Sequence, residues 1–382
     1  MARTLSHGTP KANGIAPCSR VGLSPKPLPL YASRSAITRT RQARVKAVVL
    51  KDLGGPSSLE LVDKPDPTPG PGTVLVRLRA AALNYRDTLV TTGGYGSRQK
   101  KSDLIPLSDG AGEVVSVGAG VTRFKPGDRV TVSFFQSWVG GEPTQELLDD
   151  DLGREHDGTL CELRVFKETG IVPTPDEITD VEAASTPCAG LTAWSGIVTQ
   201  GATQPGDVVL VQGTGGVSLF ALQFAKLAGA EVIATSSSDE KLERVRALGA
   251  DHTINYVTDP DWGKRALALT GGKGVDHVME VGGAGTMKQT LRAIRPGGMV
   301  SLVGVLAGAR SDLLIPLIGS RNIRLQGVTV GTTEGLSTML RAMALHQTRA
   351  VVDKVFPMSE AREAYEHLMA GRHFGKVCIA IP

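Results

Sequence analysis

The chain has 382 residues, long enough for two domains with separate cores, and its 46 glycines with only 4% aromatic residues suit an α/β protein full of tight turns. The formal charge of +4 misleads: residues 1–46 hold nine Lys and Arg and no acid, so the remaining 336 residues carry 33 basic against 38 acidic side chains, and the folded body offers no basic surface for nucleic acid. Four cysteines, Cys18, Cys161, Cys188 and Cys378, lack paired spacing, which speaks against a disulfide framework or a zinc finger and for a reducing compartment.

Residues 1–44 are rich in Ser, Pro and Arg, contain no acid and show no apolar periodicity. Three readings stand side by side: an organelle transit peptide that would direct the protein to a plastid or mitochondrion, a disordered tail on a cytoplasmic protein, or an upstream extension of the reading frame with Val45 as the start. From Val45 to about residue 188, short strand signals alternate with PGPG, GGYG, GAG and KPGD turns, which predicts a mostly-β domain with local helices.

Residues 207–251 change character. Val208–Val211 is an apolar, β-branched run suited to a strand buried on both faces, and Gly213, Gly215 and Gly216 follow it at once, where backbone must approach a pyrophosphate. A helix then starts with its free amides facing the phosphates, with Val217, Phe220, Leu222, Phe224 and Leu227 as its apolar positions and Gly229 as its stop. Ser218 replaces the last glycine of the fingerprint with another small residue. Within a strand–turn–helix–strand unit, this turn predicts a nicotinamide cofactor and a small-molecule substrate.

The second strand of the unit ends at Thr235, and Ser236 stands where a carboxylate would grip the ribose 2′-hydroxyl of NAD. Ser236–Ser238 offer hydroxyls and Lys241 offers charge to a 2′-phosphate, so NADP(H) is favoured over NAD(H); a helix-capping role for Ser237 or Ser238 is compatible with this. The run 208–225 carries no charge, but Gln212, Gln223 and the glycine turn make it a buried strand and helix and not a membrane span. Strand signals at 252–256, 276–283, 299–305 and 323–330 alternate with helices, as in a doubly wound parallel sheet over 189–331. The stretch 332–382, with the amphipathic SEAREAYEHLMAGR and the strand-like GKVCIAIP, is expected to return to the first domain.

The motifs AALNYRD (81–87), PLSDGAGEVVSVGAGVTRFKPGDRV (106–130), CAGLTAW (188–194), LGADHTINY (248–256) and RPGGMVSLVGV (295–305), with the glycine turn, resemble the medium-chain dehydrogenase/reductase family over residues 45–382. The resemblance implies a GroES-like catalytic domain, a Rossmann domain, an active cleft between them and a homodimer joined through sheet edges. It implies that Thr192 contacts the nicotinamide end, and Val217, Val281 and Val305 are expected at the cofactor with it. Zinc-dependent members carry a Cys, a His and a Cys around the metal, where this chain has Asn84, Ser108 and Cys188. Neither an amide nor a hydroxyl is a normal zinc ligand, so no metal is expected, and Cys188 reads as a small packing residue.

The pattern resembles zinc-free quinone oxidoreductases and enoyl reductases. Tyr95, in TTGGYGS, falls where enoyl reductases place a tyrosine, and it is the candidate proton donor, against a plain reading as a turn tyrosine with its hydroxyl in water. Asn84 is the candidate for positioning the cofactor amide or a substrate carbonyl. Arg86 and Asp87 are expected to fix their loop, and His156 and Asp157 to belong to a charged, solvated insertion. Three functions fit: a reductase of activated double bonds, a zinc-free alcohol dehydrogenase or carbonyl reductase, and a non-catalytic NADPH-binding protein.

Overall fold

The computed structural model describes residues 44–96, 99, 100 and 102–382. The expectations for residues 1–43 lie outside these, while Arg44, expected to close the leader, already starts the first strand. That strand, β1 (Arg44–Leu50), pairs antiparallel with β2 (Leu59–Pro65). Six strands follow, namely β3 (Thr73–Leu83), β4 (Asp109–Val117), β5 (Arg129–Val132), β6 (Leu163–Lys167), β7 (Ile171–Pro173) and β8 (Val208–Gln212). Beyond them come β9 (Glu231–Ser236), β10 (His252–Asn255), β11 (Val275–Glu280), β12 (Ile294–Leu302), β13 (Arg324–Gly327), β14 (Val352–Pro357) and β15 (Lys376–Ala380).

Strands β8–β13 form a six-stranded parallel sheet in the order β10-β9-β8-β11-β12-β13. The chain builds outward from β8 in one direction, then returns to β11 and builds outward in the other. The crevice at the carboxyl ends of β8 and β11, where the order reverses, is where such a sheet leaves room for a ligand. Val209, Leu210 and Val211 are fully buried, as a strand covered by helices on both faces requires. The remaining strands form a seven-stranded, mainly antiparallel sheet in the order β14-β15-β3-β4-β5-β7, with β6 also on β3. Its last strand, β15, pairs antiparallel with β3 and carries β14 on its other side, so the C-terminal segment forms one end of the first domain's sheet.

The two sheets meet along a helix with two widened turns that runs from Thr186 to Thr199, and Trp194 packs edge-on against Phe224 at 5.2 Å between ring centres. Such widened turns recur at functional sites, and Cys188 and Thr192 are carried here. Among the described residues, no helix is long and apolar enough to cross a membrane.

Candidate functional site

A cleft of about 1440 Å³ opens between the sheets. It is lined by Asn84, Tyr95 and Thr192 at one end and by Gly213, Gly215, Gly216 and Val217 along its floor. Ser236, Ser237, Lys241, Val281 and Val305 line it as well, so one cavity brings together the residues singled out from the sequence for catalysis or cofactor binding, apart from Ser238.

The cofactor end is built mostly of backbone. Gly213 has φ +74°, a conformation that glycine adopts without strain, and its N–H donates to Thr235 O at 2.8 Å, tying the turn to the end of β9. A Cβ built on Gly213 or Gly215 would meet nothing within 4 Å, so the turn leaves an open cradle. The helix Gly216–Leu227 starts beside it, with free amides at its N-terminus. These residues fit the pyrophosphate of a dinucleotide. Ser218, in place of the last glycine, is buried and donates to Gln212 O at 2.6 Å, so its hydroxyl is satisfied within the helix–strand contact. Ser236 is buried at the end of β9, and Ser238 caps the next helix by accepting from Lys241 N–H at 3.3 Å. The Lys241 ammonium donates to His373 O at 2.9 Å, and burial lowers its pKa.

A second support is Glu280, fully buried at the carboxyl end of β11. Its carboxylate accepts from Gln212 Nε2 at 2.7 Å, from the Gly282 and Gly283 N–H groups at 3.0 and 2.9 Å, and from the hydroxyls of Thr286 and Thr290. Among the described residues no cation pairs with it; neutral donors saturate the carboxylate and hold the 281–283 loop against the glycine turn.

The other end is built of side chains from distant segments. Asn84 follows β3 and precedes the helix Tyr85–Thr91, and its N–H donates to Asp87 Oδ2 at 2.7 Å, closing the first turn. Burial raises the Asp87 pKa to about 6, against the pull of the Arg86 guanidinium. Arg86 is itself buried, and its close carboxylate is Asp151, at 2.7 Å, with Asp87 farther off at 3.7 Å. Its guanidinium also donates to Leu152 O and sits over the rings of Tyr95 and Phe134, 4.6 and 4.8 Å from their centres. Tyr95 is thus half-buried beneath a cation, and burial raises its pKa.

The insertion 140–158 behaves differently from the expectation. His156 is half-exposed and Asp157 pairs at the surface with Lys100 at 3.0 Å, but Asp151 is buried and holds both Arg86 and Arg154. The insertion therefore furnishes a wall of the cleft through Asp149, Asp151 and Arg154.

Around the positions that zinc ligands occupy in zinc-dependent relatives, the donors are already engaged. Ser108 Oγ donates to Asp109 Oδ1 at 2.7 Å, and Cys188 N–H donates to Asp109 Oδ2 at 3.3 Å. Asn84 Oδ1 accepts from the Lys376 ammonium at 2.5 Å. Cys188 is half-buried, packs on the core and lines the cleft, and burial pushes its thiol well above the usual range. Among the described residues, no three His, Cys, Asp or Glu side chains are gathered as a metal ion would need.

Sequence reasoning missed Lys376, Asp109, Asp151 and Glu280. Lys376 and Glu280 left a faint signal, each a lone charge in an otherwise apolar strand, in GKVCIAIP and HVMEVGG. Asp151, the last of three consecutive aspartates, left none.

Residues 70–176 match the alcohol dehydrogenase GroES-like domain family, and residues 216–345 match the zinc-binding dehydrogenase family. A zinc-type alcohol dehydrogenase-like protein of Schizosaccharomyces pombe is 42% identical over 317 residues, covering 81% of this chain and 91% of its own. A quinone oxidoreductase of Pseudomonas aeruginosa is 32% identical over 344 residues, covering 87% of this chain and 99% of its own. Among solved structures, an NAD-dependent alcohol dehydrogenase superposes with a TM-score of 0.81 at 37% identity, covering 88% of this chain and 100% of that one. With both domain families matched in order and a glycine cradle open at the switch point of the parallel sheet, the chain belongs to the medium-chain dehydrogenase/reductase family and is an NAD(P)-dependent oxidoreductase.

Proposed function

We propose that the protein is a zinc-independent, NADPH-preferring reductase of activated double bonds, acting on a quinone, an enone or an enoyl-type compound. The observation that carries this reading is the donor set at the side-chain end of the cleft. Asn84 Oδ1 and Ser108 Oγ are engaged with Lys376 and Asp109, the Cys188 thiol is held protonated, and the Lys376 ammonium stands 3.5 Å from Asp109 Oδ2. A dication placed among these groups would meet a cation and no set of three good ligands, so the residues do not fit zinc.

Bound NADPH supplies a hydride. An activated alkene accepts it at the β-carbon, the π electrons move to the carbonyl oxygen, and the α-carbon then takes a proton, so hydrogen-bond donors suffice where an isolated carbonyl would need a stronger electrophile. Asn84 Nδ2, which has no partner among the described residues, supports the carbonyl oxygen as negative charge grows there. Tyr95 keeps its proton because burial holds its pKa high, and it delivers that proton to the α-carbon. Thr192 lines the same cleft.

NADPH preference rests on Ser236 at a position without a carboxylate and on Lys241 and His373 lining the same end of the cleft. A homodimer through β13 fits the fold, because within the described residues the outer edge of β13 pairs with no strand and Leu314 and Ile315 nearby are exposed. The alcohol dehydrogenase names of two relatives favour carbonyl reduction as a second reading. Oxidation of NADPH followed at 340 nm with 1,4-benzoquinone, 3-buten-2-one and hexanal, each with and without EDTA, separates the two. Turnover confined to the first two and indifferent to chelator supports the proposal; turnover of hexanal alone, or loss of activity with EDTA, sinks it.

A further inference from the structure

Lys376 touches both ends of the cleft. The residue before it, Gly375, forms an isolated bridge with Gly215 and donates its N–H to Thr214 O at 2.9 Å, so β15 begins against the glycine turn. A Cβ on Gly216 would fall 2.7 Å from Lys376 Cδ, which places the lysine stem across the start of the cofactor helix. The ammonium then ends at Leu83 O, 2.7 Å away, and at Asn84 Oδ1, 2.5 Å away, with Asp109 Oδ2 at 3.5 Å, and Lys376 is only 3% exposed. A buried ammonium is expensive unless acceptors surround it, and here three do.

This arrangement decides how the Asn84 amide faces. An ammonium has only protons to give, so the amide must present oxygen to it; turning the amide over would bring NH2 against NH3⁺. With the oxygen committed, the Nδ2 group is left as a donor on a buried residue that lines the cleft, and it has no partner among the described residues. Buried donors without partners are rare and call for an acceptor supplied from elsewhere. A full positive charge on the amide oxygen also polarises the amide and makes its N–H groups stronger donors.

We infer that Lys376 is a positioning residue that orients and polarises the Asn84 amide, so that its Nδ2 serves as the hydrogen-bond donor for a carbonyl oxygen of the substrate. This rests on the proposed reductase reading for the identity of the acceptor, but the link from Lys376 to Asn84 stands without it. Lys376 touches no reacting atom; it acts through Asn84.

The test uses the full chain. In ¹H,¹⁵N spectra the Asn84 side-chain amide is identified as the NH2 pair missing from Asn84→Ala. In Lys376→Met that pair should move upfield in ¹⁵N or split into two, because the amide loses its fixed orientation. Lys376→Met together with Asp109→Asn removes both buried charges and should give the same change in a protein that folds even where the single variant does not. An Asn84 pair left in place in both variants overturns the inference.

A second measurement reads the consequence, using single-turnover NADPH oxidation by whichever of 1,4-benzoquinone and 3-buten-2-one reacts faster. Asn84→Ala and Lys376→Met should each slow it roughly tenfold or more, and the double variant should be no slower than Asn84→Ala alone. Independent, multiplying losses would mean that Lys376 does not act through Asn84. A shifted amide pair with Asn84→Ala at full speed would leave the positioning contact standing and remove Asn84 from the proposed reaction.

Discussion

The two ends of the cleft are made in different ways. The cofactor end is a local object: Gly213, Gly215 and Gly216 are near neighbours in sequence, and what they offer is backbone amides, open space and the start of a helix. The other end is assembled from five stretches of chain, with Asn84 and Tyr95 flanking one short helix and Asp109, Asp151, Cys188 and Lys376 arriving from four others. One end is held by geometry that any helix–strand unit with the right glycines reproduces. The other is held by buried charges that must find one another across the fold, so it should be the more fragile of the two.

The largest expected effect breaks the charged end alone. Asp151→Ala leaves Arg86 buried without its near carboxylate and strips Arg154 of its main partner, and an uncompensated buried charge typically costs about 3–5 kcal/mol. Urea unfolding should show a loss of that size, while affinity for NADPH in the folded protein stays within about threefold of the parent. A loss below about 1 kcal/mol would mean that Arg86 rehydrates easily and that the buried network is not what holds this end.

Next comes an acid response that belongs to the parallel sheet. His277 on β11 is buried, its Nε2 lies 2.8 Å from Ser301 Oγ, and burial lowers its pKa to about 4. A base with a depressed folded pKa contributes stability that is complete above its unfolded pKa of about 6.5 and is lost as pH falls through 4, here amounting to about 3 kcal/mol. Asp87 has the opposite sign, since its raised pKa weakens the fold as pH climbs through 6, so the measurement is a difference between proteins. His277→Gln should unfold with a flatter pH dependence than the parent between pH 6.5 and 4; parallel curves would place the acid sensitivity elsewhere.

Gly215→Val is the counterpart at the cofactor end. Its backbone is extended, with φ −80° and ψ 176°, and no atom lies within 4 Å of the added Cβ, so the side chain occupies the cradle and not the protein. Affinity for NADPH should fall by roughly a hundredfold, about 2.7 kcal/mol, with the melting temperature nearly unchanged. Undiminished binding would show that the pyrophosphate does not lie on this turn.

The smallest effect sharpens the choice of cofactor. Ser236→Asp places a carboxylate beside Lys241 and His373, and the ratio of kcat/KM for NADPH over NADH should drop by about tenfold, or 1.4 kcal/mol. A parent enzyme that already prefers NADH would refute the phosphate-pocket reading before the variant is made.

These contrasts also explain what could be read in advance. The parallel sheet was legible because β-branched runs such as VVLVQ alternate with helical periods, and the cradle because its glycines sit immediately after a strand. Asn84 and Tyr95 were recognisable through family motifs, although nothing local reveals that Tyr95 lies under Arg86. The insertion misled. Its run of acids reads as solvated, yet one of them, Asp151, is drawn inside by a guanidinium 65 residues earlier.

What the sequence alone determined is what local forces decide: burial of periodic apolar faces, backbone freedom at Gly213, and a serine cap, Ser237 or Ser238, on the helix after β9. Only the tertiary structure decided which buried charges pair, that the last strand carries Lys376 to Asn84, and that this leaves Nδ2 as the free donor. The reason is physical. An ion pair in the interior gains its energy from distance and desolvation, and neither quantity exists until both chain segments have been folded into place.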